Sequence, residues 1–236
     1  MTTTKVSPTS KRIHLTRHAQ AEHNVDDDCS IPDAPLTELG RKQSRELHKI
    51  TKTGVQRTAE LLVSSPLRRP METLLLGYPD LKARLEKSDK PVILNDLLQE
   101  VNGYPCDTPT SPVSALAASN GGIFSSLDFS TLSPNYASKK GIYAPENASE
   151  RARQVRNWLR DREEGEIVVV AHGDILRYIV DGQQSSRTWD NAESKVFTFV
   201  SESDEEAALK ETDYKVEPAN ASDEPTSSEM ADGSKA

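Results

Sequence analysis

Two short segments of this chain place a histidine where a reaction could be catalysed. Arg17-His18 directly follows the run Ile13-His14-Leu15, and His172-Gly173 directly follows the apolar run at 166–171. Both runs are predicted to be β-strands, and ligands of open α/β sheets bind at the carboxyl ends of the strands. A neutral imidazole is a competent nucleophile. The two histidines can therefore face one another across one pocket, although a lone histidine after a strand is more often a packing or surface residue.

Hydrophobic patterning predicts the strands and helices that would position these histidines. Strands are expected at residues 13–15, 59–64, 92–94, 166–171 and 195–200. Helices are expected from Thr37 to near Gly54, from 66 to 77, from Pro145 onwards and from Asp174 to near Gly182. This order predicts an α/β fold, a three-layer α/β/α sandwich with a mostly parallel central sheet and a lid insertion.

The helix expected after Pro145 has one apolar face. Ala148, Ala152, Val155 and Leu159 recur at intervals of three or four residues, which is the spacing of one side of a helix. Five arginines lie between or after them, at positions 151, 153, 156, 160 and 162. We expect these arginines to form the solvated side of the helix.

The chain divides into three parts by composition. Residues 1–10 are rich in Thr and Ser and are predicted to be a disordered N-terminus. Residues 11–200 are expected to form one catalytic domain with a lid at about 101–140, where no Lys or Arg occurs before Lys139. Residues 201–236 have too few apolar side chains to fold alone, so they are predicted to be an acidic, disordered tail.

The charge of the chain is concentrated in that tail. The net charge is −8, and residues 201–236 hold 11 Asp+Glu against 3 Lys, so the rest of the chain is neutral overall. A nucleic-acid partner is not expected, since it would require clustered Lys and Arg. Membrane insertion is not expected, because no run of about 18 apolar residues occurs. The N-terminus lacks the apolar core of a signal peptide, and the two cysteines are too few for a disulfide framework or a zinc site. We therefore expect a soluble protein of the cytoplasm, with the nucleus as a second location.

The segment around the first histidine resembles a known signature. Arg17-His18-Ala19, followed after four residues by Asn24, is similar to the Arg-His-Gly-x-x-x-x-Asn pattern of the histidine phosphatases, the phosphoglycerate mutase-like superfamily. Further similar segments follow in the family's order: Leu-Thr-Glu-Leu-Gly-Arg-Lys-Gln at 36–43, Ser-Pro-Leu-Arg-Arg-Pro-Met-Glu-Thr at 65–73, Leu-Leu-Gln-Glu at 97–100 and Val-Ala-His-Gly at 170–173. The resemblance spans about residues 11–200 and is greatest to fungal phosphatase-type members.

The resemblance implies a role for each matching residue. His18 would be the nucleophile, and Arg17 and Arg69 would bind the phosphoryl group through charge-assisted hydrogen bonds. The charge of Arg17 would help to keep His18 neutral. His172 would donate one more hydrogen bond to the phosphoryl oxygens, whose negative charge grows in the transition state.

The remaining implied roles concern proton transfer and orientation. Glu100 would donate a proton to the leaving oxygen and later act as the base for water. Asn24 would orient a phosphate oxygen or the His18 ring. The implied reaction needs neither a metal nor a cofactor, and its partner is a small-molecule phosphate ester.

Neighbouring residues compete for some of these roles. Arg68 stands beside Arg69, and the spacing from Ser65 to Thr73 selects Arg69. Glu146 and Glu150 also precede His172, but Glu100 follows a predicted strand. The other histidines, His14, His23 and His48, are interpreted as packing or surface residues, with His14 facing a neighbouring layer.

Two local features leave alternatives open. Cys106-Asp107-Thr108 also resembles fungal members and either contacts substrate or forms a turn. Ala19 stands where the family usually has Gly, whose backbone freedom and small size can matter near a ligand. Because Ala is the smallest change, we expect activity to survive it.

The lid distinguishes among the possible activities. Phosphoglycerate mutases hold a substrate with two anionic ends through extra basic residues, whereas residues 101–138 contain none. The lid instead offers apolar side chains: Leu116, Ile123, Phe124, Leu127, Phe129, Leu132 and Tyr136. We therefore predict a phosphatase that acts through a phosphohistidine intermediate. Its substrate is expected to be a phosphate monoester with a small, neutral or partly apolar leaving group. The alternatives are a mutase-type phosphotransferase and a catalytically silent protein that binds phosphorylated ligands or a partner.

Overall fold

Six strands form one sheet at the centre of residues 6–214, the part of the chain that the computed structural model describes. They are β1 (Arg12–Arg17), β2 (Leu61–Ser64), β3 (Ile93–Leu94), β4 (Glu166–Ala171), β5 (Ser194–Phe199) and β6 (Leu209–Glu211). Their order is β3-β2-β4-β1-β5-β6. Strands β1 to β4 are mutually parallel, whereas β5 and β6 pair antiparallel. The five strands predicted from the sequence are all present.

The described residues also form seven α-helices. They are α1 (Glu38–Thr51), α2 (Val55–Thr58), α3 (Arg68–Gly77), α4 (Pro79–Glu86), α5 (Val113–Gly122), α6 (Ala148–Asp161) and α7 (Gly173–Asp181). Thr37 caps α1 as predicted, since its hydroxyl accepts a hydrogen bond from the Gly40 N–H at 2.9 Å. Among residues 6–214, no helix is long and apolar enough to cross a membrane.

The helices cover both faces of the sheet. Strand β4 is buried along its whole length and alternates between two hydrophobic clusters, with Val169 in one and Val168 in the other. The first cluster includes α6 and α7, and the second includes α1, α3, α4 and α5. This arrangement confirms the predicted three-layer α/β/α sandwich with a mostly parallel sheet.

The register of the two central strands brings the two histidines together. β1 and β4 are parallel neighbours in which Arg17 is paired with Ala171. His18 and His172 each follow directly, at the carboxyl edge of the sheet. The predicted meeting of these histidines at one edge is therefore a consequence of strand order and register.

Helix α6 differs from its sequence interpretation on one side. Arg151 is 0% exposed and Arg156 is 5% exposed, so the expectation that all five arginines are solvated is wrong for these two. Arg151 donates to the carbonyl of Glu100 at 3.3 Å, and Arg156 donates to the carbonyls of Tyr178 and Glu206 at 3.2 and 2.7 Å. These carbonyls from other segments replace water as partners of the buried guanidinium groups.

Segments on both sides of the predicted domain, residues 11–200, contact its sheet. Pro8–Ser10 form a 3-10 turn, and the carbonyl of Thr9 accepts a hydrogen bond from the Thr198 hydroxyl at 2.9 Å. At the other end, Leu209–Glu211 pair with β5, and Ala207 and Leu209 are buried. Folded structure therefore extends on both sides of residues 11–200. On the C-terminal side, pairing with β5 places Leu209 against apolar partners that residues 201–214 lack by themselves. Residues 1–5 and 215–236 lie outside the described part of the chain.

The predicted lid packs into the domain. Residues 101–140 contain α5 and the 3-10 turns Pro105–Asp107 and Ile123–Ser126. Leu116, Phe124 and Tyr136 are buried in the cluster that includes α3 and α4. Much of the apolar surface of this segment therefore stabilises the fold.

Candidate active site

Each predicted site residue lies at or near the carboxyl edge of the sheet, where several elements converge. Arg17 ends β1, Arg69 lies in the first turn of α3, and Asn24 lies in the 3-10 turn Glu22–Asn24. Glu100 follows the 3-10 turn Asp96–Leu98, and His172 precedes α7. The rival carboxylate Glu150 is instead paired with Arg153 on α6 at 2.8 Å.

The ring of His18 is held by a hydrogen bond on each nitrogen. His18 is buried, with an exposed fraction of 2%. Nδ1 donates to the carbonyl oxygen of Ala19 at 2.7 Å, and Nε2 accepts from Nε of Arg69 at 3.1 Å. Burial lowers the pKa of His18 well below 6.5, and the charges of Arg69 and Arg17 lower it further. The ring is therefore neutral near pH 7, with its lone pair on Nε2.

The two candidate phosphate-binding arginines are held differently. Arg69 is fully buried and contacts His18, whereas Arg68 donates to the side chain of Asn120. Of the two neighbours, Arg69 is thus the one that contacts His18. Arg17 donates to the carbonyl of Trp189, while its buried Nε has no partner among the described residues. That N–H is a ready donor for an anion.

His172 lies against His18 with one free nitrogen. The ring centroids of the two histidines are 5.1 Å apart in an edge-on arrangement. Nε2 of His172 shares a hydrogen bond with the hydroxyl of Ser65 at 2.9 Å. Its Nδ1 is buried and has no partner among the described residues. Burial lowers the pKa of His172 well below 6.5, and Arg69 lowers it further, so this ring is also neutral.

The carboxyl group of Glu100 is held at the start of α7. Oε1 accepts from the N–H groups of Val101 and Ile175 at 2.8 and 3.0 Å, and Oε2 accepts from that of Asp174 at 3.3 Å. Burial raises the pKa of Glu100, and the charges of Asp174 and Asp107 raise it further. A carboxyl group with a raised pKa and a fixed position is suited to proton transfer.

The backbone of Glu100 is fixed from the other side by two cations. Nζ of Lys139 donates to the Glu100 carbonyl oxygen at 2.8 Å, and Arg151 donates to the same atom at 3.3 Å. Burial lowers the pKa of Lys139 to about 8. Neither residue was assigned a role from the sequence, because their common partner is distant along the chain.

Asn24 pairs with a histidine that was interpreted as a packing or surface residue. Oδ1 of Asn24 accepts from the Ala21 N–H at 3.0 Å, and Nδ2 donates to Nε2 of His23 at 3.0 Å. The His23 ring lies 6.0 Å from that of His18, centroid to centroid. Burial lowers the pKa of His23 to about 3, and Arg69 and Arg17 contribute. The interpretation of His23 was therefore wrong. Its position inside the signature segment, beside Asn24, was the available signal.

A cavity of about 220 Å³ opens onto this cluster. Its lining is mostly polar and comprises Arg17, His18, His23, Asn24, Cys29, Glu100, Asn102, Tyr104, Cys106, Asp107, Gly173, Asp174, Arg177 and Trp189. None of the apolar lid residues that were expected near the leaving group appears in it. Arg69 and His172 are not part of this lining, but both contact His18, which is.

The position after His18 accommodates alanine. Ala19 is fully buried and packs with Ala21, Ala34, Leu36 and Cys106. Its N–H donates to the hydroxyl of Thr73 at 3.0 Å, and its φ is not positive. The backbone therefore requires no glycine at this position.

A metal site would require several His, Cys, Asp or Glu side chains close together. Residues 6–214 contain no group of three or more His, Cys, Asp or Glu side chains arranged to hold one. Metal independence stays a prediction.

Known proteins resemble this chain in sequence and in fold. Residues 13–197 match the histidine phosphatase superfamily (branch 1). Phosphoglycerate mutase-like protein 1 of Arabidopsis thaliana is 30% identical over 209 residues, which cover 74% of this chain and 72% of the plant protein. A probable phosphatase of Schizosaccharomyces pombe is 27% identical over 174 residues, covering 71% of this chain and 76% of its own.

A solved structure shares the fold. Phosphoserine phosphatase of Entamoeba histolytica, in a complex with phosphoserine, is 18% identical with a TM-score of 0.50, covering 85% of this chain and 94% of that one. The resemblance stated from the motifs is thereby confirmed: the chain belongs to the histidine phosphatase superfamily.

Proposed function

We propose that this protein is a phosphatase that hydrolyses small-molecule phosphate monoesters through a phosphohistidine on Nε2 of His18. The observation that carries the proposal is the state of His18. Its Nδ1–H is bound to the Ala19 carbonyl, which leaves the Nε2 lone pair for attack. Arg69 beside Nε2 and the free Nε–H of Arg17 supply positive charge for the transferred group.

The first step transfers the phosphoryl group to the enzyme. Nε2 of His18 attacks phosphorus, and the bond between phosphorus and the leaving oxygen breaks. Glu100 gives its proton to that oxygen, so the product leaves as an alcohol. The phosphoryl group takes the place of His18 as the partner of the Arg69 Nε–H.

The second step regenerates the enzyme. Glu100, now a carboxylate, accepts a proton from water as the water oxygen attacks phosphorus. The bond between phosphorus and Nε2 breaks, and inorganic phosphate leaves. The buried neighbours Arg69 and His172 stabilise the negative charge that develops on the phosphoryl oxygens.

The composition of the cavity favours hydrolysis over mutase activity. The cations in its lining are Arg17 and Arg177, and Arg177 is paired with Asp174 at 2.7 Å. A second anionic end of the substrate would have to compete with that carboxylate. We therefore expect phosphate release from monoesters to exceed any isomerisation of phosphoglycerate, and sustained mutase turnover above phosphate release would contradict the hydrolase assignment.

The decisive experiment compares two histidine variants. Phosphate release is measured over a panel of metabolite monophosphates for the wild type, His18→Ala and His48→Ala, where His48 pairs with Asp80 on the surface. We expect His18→Ala to lose at least about 10³-fold in rate, and His48→Ala to retain wild-type activity. Labelling with a reactive phosphate donor should give an acid-labile phosphoryl group that requires His18. A protein that neither hydrolyses nor labels would instead be a silent binding protein.

A further inference from the structure

A short turn near the start of the segment 101–140 contacts Arg69, the arginine proposed to bind the phosphoryl group. The 3-10 turn Pro105–Asp107 presents the carbonyl of Cys106 and the carboxylate of Asp107 to Arg69. Nη1 of Arg69 donates to the carbonyl at 2.5 Å, and Nη2 donates to Oδ1 of Asp107 at 3.1 Å. Arg69 takes part in the proposed reaction, whose steps do not involve this turn directly.

Three of the five N–H donors of Arg69 are thereby engaged. Nε faces His18 on one side, and the two Nη atoms face the turn on the other. A guanidinium is planar, so fixing both Nη atoms also fixes the direction of the Nε–H. Two N–H donors remain for the oxygens of a phosphoryl group.

The Asp107 side chain is not needed to form the turn. The turn is closed by backbone hydrogen bonds from the N–H of Asp107 to Tyr104 and from that of Thr108 to Pro105, at 3.0 and 3.3 Å. The carboxylate instead accepts from Arg69 and, at 3.5 Å, from the thiol of Cys106. The backbone of Asp107 thus takes part in the turn, as one of the two alternatives predicted, while its side chain contacts Arg69.

Direct binding of substrate by this carboxylate is disfavoured by charge. Asp107 is 4% exposed and lines the cavity, where a phosphate dianion would repel it. Its pairing with Arg69 offsets that repulsion. A buried carboxylate with one fixed cationic partner is suited to orient that partner.

We propose that Asp107 is a positioning residue, which holds the guanidinium of Arg69 so that its Nε–H stays directed at Nε2 of His18 and at the phosphoryl group transferred there. This inference rests on the proposed phosphatase reaction. It predicts that Asp107 acts on the rate only through Arg69. A misdirected guanidinium would cost on the order of 10- to 100-fold in kcat, as small displacements of positioning groups do.

The kinetic test is a double-mutant cycle between the two residues. Asp107→Ala is expected to lower kcat about 10- to 100-fold, and Asp107→Asn, which keeps an acceptor oxygen for Arg69, is expected to recover part of that loss. In an Arg69→Ala background, Asp107→Ala should cause no further loss of kcat, because its partner is gone. Equal losses from Asp107→Ala in both backgrounds would overturn the proposal.

The matched control is another buried carboxylate on the same helix as Arg69. Glu72 is 3% exposed and accepts from Nε of Arg41 at 2.6 Å, away from the cavity. Glu72→Gln should retain the wild-type kcat even if its melting temperature falls. A comparable loss of kcat in Glu72→Gln would show that the effect of Asp107 is general destabilisation.

A spectroscopic measurement separates this inference from the proposed function. The Arg69 Nε–H should give a protected NMR resonance in the wild type, Asp107→Asn and Glu72→Gln, and should lose that protection in Asp107→Ala. Retained protection in Asp107→Ala would overturn the positioning role, whatever the activity. Failure of the proposed function would appear instead as phosphate release that does not depend on His18.

Discussion

Nε of Arg69 lies 3.1 Å from Nε2 of His18, so the Arg69 N–H engages the lone pair of that ring nitrogen. The opposite ring nitrogen is bound to the Ala19 carbonyl, which leaves a single tautomer. Burial and the charge of Arg69 keep this imidazole neutral, and the contact provides a hydrogen-bond partner for Nε2. In the proposed reaction, an incoming phosphoryl group accepts the same N–H, and the Nε2 lone pair of His18 is freed as the group binds.

The two adjacent arginines should respond differently to the same substitution. Arg69→Lys removes the fork that reaches His18, Cys106 and Asp107 together, and a lysine cannot replace it. We expect kcat/KM to fall on the order of 10²-fold. Arg68→Lys, the matched control, affects only a contact with Asn120 and should retain wild-type kcat/KM. Steady-state kinetics on one monoester suffices, and equal losses would contradict the assignment.

Glu100→Gln should discriminate between good and poor leaving groups. The amide cannot supply a proton, so an alkyl phosphate should lose about 10²- to 10⁴-fold in kcat. An aryl phosphate such as p-nitrophenyl phosphate needs less protonation and should lose much less. The measurement is the ratio of the two kcat values in the wild type and the variant. An unchanged ratio would remove Glu100 from the role of proton donor.

Acid should destabilise the protein through its buried histidines. The pKa values of His18, His172 and His23 lie below 6.5 in the folded state, mainly because of burial. The unfolded chain therefore binds more protons once the pH falls through 6.5, and stability that is present above this pH is lost below it.

His23, whose pKa is about 3, allows the acid effect to be isolated. Between about pH 7.5 and 5.5, the melting temperature of the wild type should fall more than that of His23→Gln, which lacks one such group. Parallel pH dependences of the two proteins would contradict the depressed pKa of His23.

Strand β6 should contribute measurably to stability. A chain that ends at residue 203 loses the pairing of β6 with β5 and the buried side chains of Ala207 and Leu209. Burial of one leucine side chain contributes about 2 kcal/mol, so this chain should melt at a lower temperature than one that ends at residue 214. Thermal unfolding of the two chains provides the test, and equal melting temperatures would show that β6 is dispensable.

The strand pattern and the signature segments were predictable because they depend on local sequence. The run at 166–171 is apolar at nearly every position, as a strand buried on both faces must be, and β4 confirms it. The similarity of residues 65–73 to the family's segment selected position 69 over 68, and the spacing within one segment is a local property of the sequence.

The contacts between distant segments were not predictable in this way. Arg151 is buried because the Glu100 carbonyl lies beside it, and β6 forms because β5 presents an unpaired edge to an otherwise acidic segment. The amino-acid composition of these segments does not indicate that Arg151 contacts the Glu100 carbonyl or that β6 pairs with β5. The sequence also led us to expect the apolar residues of the segment 101–140 near the substrate. Much of their surface instead packs in the core, against helices that are distant along the chain.

The sequence alone determined the family, the sheet and the two histidines at strand ends, since hydrophobic periodicity and motif spacing are local properties of the chain. Only the tertiary structure decided the tautomer of His18, the place of His23 in the site and the hold of Asp107 on Arg69. Each of these depends on a distance or burial that arises when separate elements pack together, and hydrogen bonds and pKa values respond to that packing.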